Sequence, residues 1–284
     1  MIKTDNEVHK YLIANIVNAA IRGGAAVMEI YMKADESFDV SLKSDKSPIT
    51  EADRRAHTTI KEYLGPTRIP ILSEEGREML YAERCNWELF WLIDPLDGTV
   101  EFINHTDEFT INIALMSENK SIASVVYVPC LKRLFFAAKN HGSFLWDAVE
   151  PDSNSAFSYD EISTRLIQLP LEAPVREVQK IAISRSHNTP ETFDHIDALR
   201  AANPSVEVVE QGSSYKFCML AEGSVDYYVR TSNTYEWDTA AGELVLAEAG
   251  GSTRSLFDNE PLNYNKESLD NPWFVCRGPR CTIK

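Results

Sequence analysis

A chain of 284 residues, with 44% hydrophobic and 25% charged residues and a net charge of −15, is long enough for one large domain or two tightly joined halves. This acidity argues against a surface that binds DNA or RNA, which needs clustered Lys and Arg, although bound divalent cations can still let an acidic protein hold a small phosphorylated substrate. No stretch reaches the ~20 apolar residues of a membrane helix and the N-terminus has no secretory pattern, so we expect a cytoplasmic protein.

The first half of the chain predicts two helices followed by strands. Apolar residues recur at helical spacing over residues 7–32, where Gly23-Gly24 either permits close packing or allows a bend. A second helix is predicted from Glu51 to Leu64, with Thr50 as its N-cap and Gly65 just past its end. The apolar, β-rich runs that predict strands are Ile69–Ser73, Leu89–Ile93, Phe109–Met116, Ile122–Val128 and Arg133–Ala138.

The second half predicts alternating strands and helices. Residues 150–160 are polar and rich in turn formers, which predicts a linker, so we divide the chain into residues 1–150 and 151–284 of one compact unit. Beyond the linker, strands are predicted near 180–184, 206–210 and 225–229, and helices near 190–202, 213–222 and 238–249. The fold class is therefore α/β, with an α+β N-terminal half and an α/β C-terminal half.

Four acidic segments stand out, at residues 47–53, 71–76, 91–104 and 236–251, and most of their acidic residues have an ordinary structural explanation. Asp53 lies three residues after Thr50 and can complete a capping box at a helix start. Glu74 follows a strand and can lie on a solvated turn, and Asp238 can cap the helix that follows it.

The sequence DPLDGT at residues 94–99 is harder to explain by structure alone. It follows an apolar strand and precedes a helical segment, which places Asp94 and Asp97 where a strand meets a helix N-terminus. Two carboxylates on one tight turn can share a Mg²⁺ ion, which prefers oxygen ligands. The motif alone leaves a turn and a metal site both open, whereas the stretch lacks the alternating ligands of an EF-hand.

Taken together and in order, these segments resemble the inositol monophosphatase superfamily of lithium-sensitive, magnesium-dependent phosphomonoesterases. The resemblance runs from the SPITEAD segment (47–53) to NPWF (271–274), and DPLDGT followed by a distant WDTAAG is its most specific part. The segments ISRSH (183–187) and GSSYKF (212–217) make the chain most similar to the bacterial 3′(2′),5′-bisphosphate nucleotidases of the CysQ type. The superfamily fold implied is a layered αβαβα sandwich with the active site between the halves.

The resemblance implies a set of metal ligands and a proton-transfer pair. A first Mg²⁺ would be held by Glu74, Asp94 and the carbonyl of Leu96, and a second by Asp94, Asp97 and Asp238, with a third, weaker ion near Glu74 left open. Thr99 and Asp53 would orient and deprotonate the attacking water. Li⁺ would act as an inhibitor.

The resemblance also implies how the substrate is held. The scissile phosphate would lie on the backbone N–H groups around Gly98 and Thr99, beside Asp97, at a helix start whose dipole favours anions. The remaining nucleotide contacts would come from His187, Ser213, Ser214, Lys216 and Arg230. One departure is the stretch 231–236, which lacks the Gly-Pro element usual in the nucleotidases and so leaves the fine substrate preference open.

The expected reaction is hydrolysis of the 3′-phosphate of adenosine 3′,5′-bisphosphate to AMP and phosphate, with 3′-phosphoadenosine 5′-phosphosulfate as a further candidate substrate. An inositol phosphate phosphatase with the same metal site is the alternative, and a non-catalytic nucleotide or metal sensor is a remote one, since a sensor predicts a broken ligand and none is broken. We expect no nucleic-acid polymer and no obligate protein partner. The sequence leaves monomer and homodimer open, as well as contact with the inner membrane face.

Overall fold

The computed structural model describes residues 7–33, 41–42, 48–172, 177–202 and 205–283. Helices and strands cover most of these residues. The helices are α1 (Glu7–Tyr31), α2 (Glu51–Leu64), α3 (Tyr81–Arg84), α4 (Thr99–Ile103), α5 (Tyr159–Ser163), α6 (Pro190–Ala202), α7 (Tyr215–Glu222) and α8 (Glu236–Glu248). The first strands are β1 (Ser41–Leu42), β2 (Pro48–Ile49), β3 (Ile71–Ser73), β4 (Leu89–Asp97), β5 (Thr110–Ser117), β6 (Lys120–Val128) and β7 (Arg133–Ala138). The remaining strands are β8 (Gly142–Trp146), β9 (Ile167–Gln168), β10 (Gln179–Ser184), β11 (Val206–Gln211), β12 (Tyr227–Arg230), β13 (Ser252–Ser255) and β14 (Phe274–Arg277).

Two large sheets organise these strands. The first has seven strands in the order β3-β4-β5-β6-β7-β8-β9, in which only the β3–β4 pair is parallel. The second has five strands in the order β11-β10-β12-β14-β13, parallel from β11 to β12 and antiparallel beyond. Strands β1 and β2 form a separate antiparallel pair.

The elements stack in five layers, which confirms the αβαβα sandwich. Helices α1 and α2 pack together on one face of the seven-stranded sheet, and α8 packs on its other face. Helices α7 and α8 also contact the five-stranded sheet, and α6 covers the outer face of that sheet. The central sheet is therefore buried on both sides, as the continuous apolar runs of its strands require.

Strand β5 shows how the sequence pattern produces this layering. Its alternate residues Ile111, Ile113 and Leu115 belong to the core beneath α1 and α2, whereas Ala114 and Met116 belong to the core beneath α7 and α8. Successive side chains of a strand point to opposite faces, so one strand contributes to two cores. The strand predicted at Phe109–Met116 is confirmed, with bounds one residue later at each end.

The expectation that no stretch is apolar enough for a membrane helix is wrong for α1. Its residues Val8–Tyr31 are long and apolar enough to cross a membrane, by length and composition alone. However, 56% of the most apolar 18-residue stretch of this helix is buried inside the protein, as in the core helices of soluble proteins. Close packing explains the two glycines: a Cβ on Gly23 would lie 2.7 Å from Ile60 Cδ1, and one on Gly24 would overlap the Tyr127 ring. The length and composition of α1 are therefore weak evidence for a membrane span.

The predicted elements agree with the structure most closely at α2, which has Thr50 as its N-cap and Gly65 at its end. The sequence did not predict β8, β9, β13 or β14, whose short runs carry weak signals. The stretch 150–160 packs on α1, since Asn18 Nδ2 donates to the Phe157 carbonyl at 2.8 Å and Ser155 Oγ donates to Asn18 Oδ1 at 2.6 Å. The division at residue 150 stays a prediction, and residues 43–47, which include the start of the SPITEAD segment, lie outside the described residues.

Candidate active site

The turn after β4 positions the two aspartates of the DPLDGT motif. Strand β4 runs four residues beyond its predicted end, and its register against β5 shifts between Asp94 and Asp97. Gly98 then adopts φ +95°, a conformation that favours glycine, and α4 begins at Thr99. The irregular strand end lets Asp94 and Asp97 both line one cavity.

Three carboxylates from distant parts of the chain meet at this turn. Oxygen atoms of Glu74, Asp94 and Asp238 all lie within 4.8 Å of one another. Glu74 follows β3, where its backbone N–H donates to the Ile93 carbonyl at 3.1 Å, and Asp238 lies in the first turn of α8. Hard oxygen donors at this spacing fit a divalent cation such as Mg²⁺.

The electrostatics of the cluster also fit a cation. Burial, followed by repulsion from Glu74, Asp97 and Asp238, raises the pKa of Asp94 well above its usual range. Burial and repulsion from Asp97 and Glu74 likewise raise the pKa of Asp238. Ionised carboxylates packed this closely repel one another, so a bound cation would stabilise them in the charged form.

Asp97 is held by hydrogen bonds from both halves of the chain. Its Oδ2 accepts hydrogen bonds from the Ser214 backbone N–H at 2.6 Å and from Asn112 Nδ2 at 3.3 Å. The Ser214 hydroxyl lies within hydrogen-bond distance of both Asp97 Oδ2 and the Asp238 carbonyl. Ser214, which the sequence suggested as a substrate contact, therefore also orients an acidic residue of the cavity wall.

Asp53 makes the contact that each of its two predicted roles requires, one with Thr50 and one with Thr99. Its Oδ2 accepts from the Thr50 backbone N–H at 2.7 Å and from Thr50 Oγ1 at 2.6 Å, which completes the capping box of α2. Its Oδ1 accepts from Thr99 Oγ1 at 3.0 Å. Thr99 lines the cavity and Asp53 lies behind it, only 1% exposed.

A cavity of about 590 Å³ brings the remaining candidate residues together. The predicted residues on its wall are Glu74, Asp94, Leu96, Asp97, Gly98, Thr99, His187, Ser213, Ser214, Lys216, Arg230 and Asp238. The sequence reasoning did not include several others, namely Val100, Glu101, Ser184, Phe217, Tyr228, Asn233, Thr234, Tyr235, Thr239 and Phe274. Glu101 could have been found from its position two residues after DPLDGT, whereas Tyr228 and Phe274 lie on strands and carry no local signal.

One part of the cavity wall is basic. Lys216 is only 3% exposed, and its Nζ donates to the carbonyls of Ser213 at 2.6 Å and Gln211 at 2.9 Å. Burial, and then the charge of Arg230, lowers the pKa of Lys216 to about 8. Burial and Arg230 also lower the pKa of His187.

The atypical stretch 231–236 forms part of this basic wall. Ser232 Oγ donates to the His187 carbonyl at 2.6 Å, and Arg230 Nη2 donates to the Asn233 carbonyl at 3.1 Å. Arg230 Nε is buried, and the described residues offer it no hydrogen-bond acceptor. The stretch therefore holds His187 and Arg230 at the cavity.

The chain is similar to known proteins over most of its length. The model of the inositol monophosphatase family matches residues 8–272. The chain belongs to this family. The 3′(2′),5′-bisphosphate nucleotidase CysQ of Haemophilus influenzae is 35% identical over 278 residues, covering 95% of this chain and 94% of that protein. CysQ of Escherichia coli K12 is 36% identical over 266 residues, covering 93% and 98%.

Two solved structures share the fold of this chain. CysQ of Bacteroides thetaiotaomicron, described as a bacterial member of the inositol monophosphatase family, matches with a TM-score of 0.88 and 38% identity, covering 97% of this chain and all of that one. SuhB of Bartonella henselae matches with a TM-score of 0.72 and 24% identity over 95% of each chain, which supports the fold alone. Membership of this phosphatase family identifies the protein as an enzyme, a phosphoric monoester hydrolase.

Proposed function

We propose that the protein is a Mg²⁺-dependent 3′(2′),5′-bisphosphate nucleotidase that hydrolyses adenosine 3′,5′-bisphosphate to AMP and phosphate. The observation that carries this proposal is one cavity whose wall carries both a carboxylate cluster and the cationic pair Lys216 and Arg230. The carboxylate cluster suits a phosphate with its metal ions, and the cationic pair suits another anion of the same molecule. The CysQ relatives, named as enzymes of this activity, support the same substrate.

The acidic residues would hold two Mg²⁺ ions, with Glu74, Asp94 and the Leu96 carbonyl at one and Asp94, Asp97 and Asp238 at the other. When bound, the ions would supply neutralising charge and a more acidic water. A third ion near Glu74 belongs to the same proposal. We also expect Li⁺ to inhibit turnover at saturating Mg²⁺.

Thr99 and Asp53 would handle the proton of the attacking water. Because Thr99 Oγ1 donates its proton to Asp53 at 3.0 Å, its lone pairs can accept a hydrogen bond from that water. The proton would pass through the hydroxyl to Asp53, whose other oxygen is occupied by Thr50. Thr99 would thus orient the water, and Asp53 would accept the proton.

The scissile phosphate would lie against the backbone N–H groups of Gly98 and Thr99, beside Asp97. Because α4 has only five residues, these N–H groups, rather than a long helix dipole, would provide the attraction. The 5′-phosphate would meet Lys216 and Arg230, with His187, Ser213 and Ser214 completing the nucleotide contacts.

The test is phosphate release with Mg²⁺ from adenosine 3′,5′-bisphosphate, 3′-phosphoadenosine 5′-phosphosulfate, inositol 1-phosphate, inositol 1,4-bisphosphate and fructose 1,6-bisphosphate. We expect kcat/KM for an adenosine substrate to exceed that for each inositol phosphate and for fructose 1,6-bisphosphate at least about tenfold, a transition-state preference of ~1.4 kcal/mol. The Asp97→Asn variant should lose activity on all of them. A higher kcat/KM for an inositol phosphate would support the alternative substrate class at the same carboxylate site.

Lys216 provides a sharper prediction about the second anion. Replacing Lys216 by Ala should raise KM for adenosine 3′,5′-bisphosphate at least about tenfold and leave KM for 3′-AMP, which lacks the 5′-phosphate, nearly unchanged. The variant Lys216→Met, which keeps most of the buried volume, should behave alike. Lys132→Ala, at an exposed lysine paired with Glu150, is the control. Equal increases in KM for both substrates would contradict the assignment.

The lowered pKa of Lys216 adds a pH dependence to this prediction. With a pKa of about 8 in the free enzyme, the ammonium group is charged below pH 8 and neutral above it. The ratio of kcat/KM for the bisphosphate to that for 3′-AMP should therefore fall as pH rises through about 8, since kcat/KM reports the free enzyme. The ratio should be independent of pH in Lys216→Met.

The cellular setting and assembly belong to the proposal as well. We propose that the enzyme acts in the cytoplasm and needs no other protein for catalysis. Sedimentation at assay concentration would decide between monomer and homodimer.

A further inference from the structure

Glu101 is a buried carboxylate on the cavity wall that the proposed reaction does not use. It lies in α4, two residues after Thr99, and is only 2% exposed. A carboxylate beside a phosphate site repels the phosphate, and it is costly to bury without hydrogen-bond donors. Its position therefore suits a neutral donor carried by the substrate.

Two residues from the second half of the chain hold the Glu101 side chain in place. Ser186 Oγ donates to Glu101 Oε1 at 2.8 Å. Gly212 packs directly on the side chain, because a Cβ there would lie 2.5 Å from Glu101 Cγ. One carboxylate oxygen is thus bound and the side chain is confined between two segments.

The other oxygen lies close to Gly98, in the turn that is proposed to hold the scissile phosphate. A Cβ built on Gly98 would lie 3.4 Å from Glu101 Oε2, so this oxygen lies beside the N–H groups proposed to hold the scissile phosphate. The hydrogen bond that the described residues donate to this carboxylate goes to Oε1, from Ser186, and none goes to Oε2. The structure therefore presents a fixed acceptor next to the phosphate site.

We propose that Glu101 is a specificity-determining residue whose Oε2 accepts a hydrogen bond from the hydroxyl on the carbon next to the phosphorylated carbon. This inference rests on the proposed function, in which that group is the ribose 2′-hydroxyl of adenosine 3′,5′-bisphosphate. The vicinal hydroxyl is the neutral donor nearest to the scissile phosphate on a sugar ring. Hydrogen bonds to a charged acceptor are the strong ones, and a site built for a hydroxyl rejects a substrate that lacks it.

The experiment compares adenosine 3′,5′-bisphosphate with 2′-deoxyadenosine 3′,5′-bisphosphate. In the wild type we expect kcat/KM to favour the ribonucleotide about tenfold or more. In Glu101→Ala the ratio should fall to near one, because the ribonucleotide loses its acceptor and the deoxynucleotide does not. Glu101→Gln, which keeps the side-chain size, should lower the ratio in the same direction.

Glu108→Gln is the matched control. Glu108 accepts from Arg185 at 2.6 Å and from the Gly212 N–H at 2.7 Å, so it supports the same segment but does not line the cavity. This variant should change kcat/KM for both nucleotides by the same factor and leave their ratio unchanged.

Two results would overturn the inference. One is equal kcat/KM of the wild type on the two nucleotides, and the other is an equal loss on both in Glu101→Ala, which would mean that Glu101 only holds Ser186 or balances nearby cations. Absence of turnover on both nucleotides by a wild type that cleaves inositol 1-phosphate would instead overturn the proposed function, and this inference with it.

Discussion

Replacing Asp94 by Asn is expected to lower kcat by about three orders of magnitude or more. Asp94 is the carboxylate shared by both proposed Mg²⁺ positions, and charge stabilisation by such ions contributes several kcal/mol to the transition state. Phosphate release at saturating substrate, over a range of Mg²⁺ concentrations, measures the loss. Asp147→Asn, at an exposed aspartate remote from the cavity, is the control and should retain wild-type turnover.

The same variant has a second effect that does not depend on activity. Because burial and neighbouring carboxylates raise the pKa of Asp94 in the folded protein, its ionisation opposes folding when no metal is bound. The metal-free wild type should therefore lose stability as pH rises from the ordinary carboxylate pKa through the raised one. Asp94→Asn removes this charge and should be less sensitive to pH in that window.

Mg²⁺ should offset this loss of folding stability in the wild type but not in Asp94→Asn. At 100 times its dissociation constant, Mg²⁺ should stabilise the wild type by about 2.7 kcal/mol, measured by denaturant or thermal unfolding. Asp94→Asn should show little of this gain. A full Mg²⁺-induced shift in Asp94→Asn would show that the ions bind elsewhere.

Asp53→Asn should lower kcat by a factor of about 10²–10⁴ with little effect on stability. An Asn oxygen can still accept from Thr50 and preserve the cap of α2, but the amide nitrogen would then face Thr99. The amide donates where the carboxylate accepted, so the proton path from Thr99 is lost.

Thr50→Ala should give the opposite pattern. It removes the cap, which costs about 1 kcal/mol of stability, and leaves the contact between Asp53 and Thr99 in place. Glu161→Gln is the matched control for Asp53→Asn, because Glu161 completes the same capping box with Ser158 at α5 and does not line the cavity. Near-wild-type turnover in Asp53→Asn would reduce Asp53 to a capping residue.

The fold could be predicted from the sequence wherever the signal is local. The cap residues Thr50 and Gly65 predicted the start of α2 at Glu51 and its end at Leu64, and the apolar run Phe109–Met116 predicted the strand observed as β5. The short strands β9 and β13 went unpredicted because two or four residues carry little periodicity. In the structure, β9 pairs with β8 and β13 pairs with β14.

The sequence by itself determined which residue types are available for chemistry. The order of its acidic segments, and above all DPLDGT at residues 94–99 followed by Asp238, indicated a metal-dependent phosphatase family, and the family model agrees. Such information is carried by short segments, because a turn that presents carboxylates needs particular residues at particular spacings.

Only the tertiary structure decided which of these residues meet. Asp238 reaches Glu74 and Asp94 because α8 packs between the two sheets and begins beside the turn after β4, a contact that depends on the packing of the whole domain. The same packing brings Ser214 to Asp97 and confines Glu101 between Gly98 and the second half. Long-range packing is a property of the assembled cores, so no local pattern in the chain could reveal that Ser186 and Gly212 confine the Glu101 side chain.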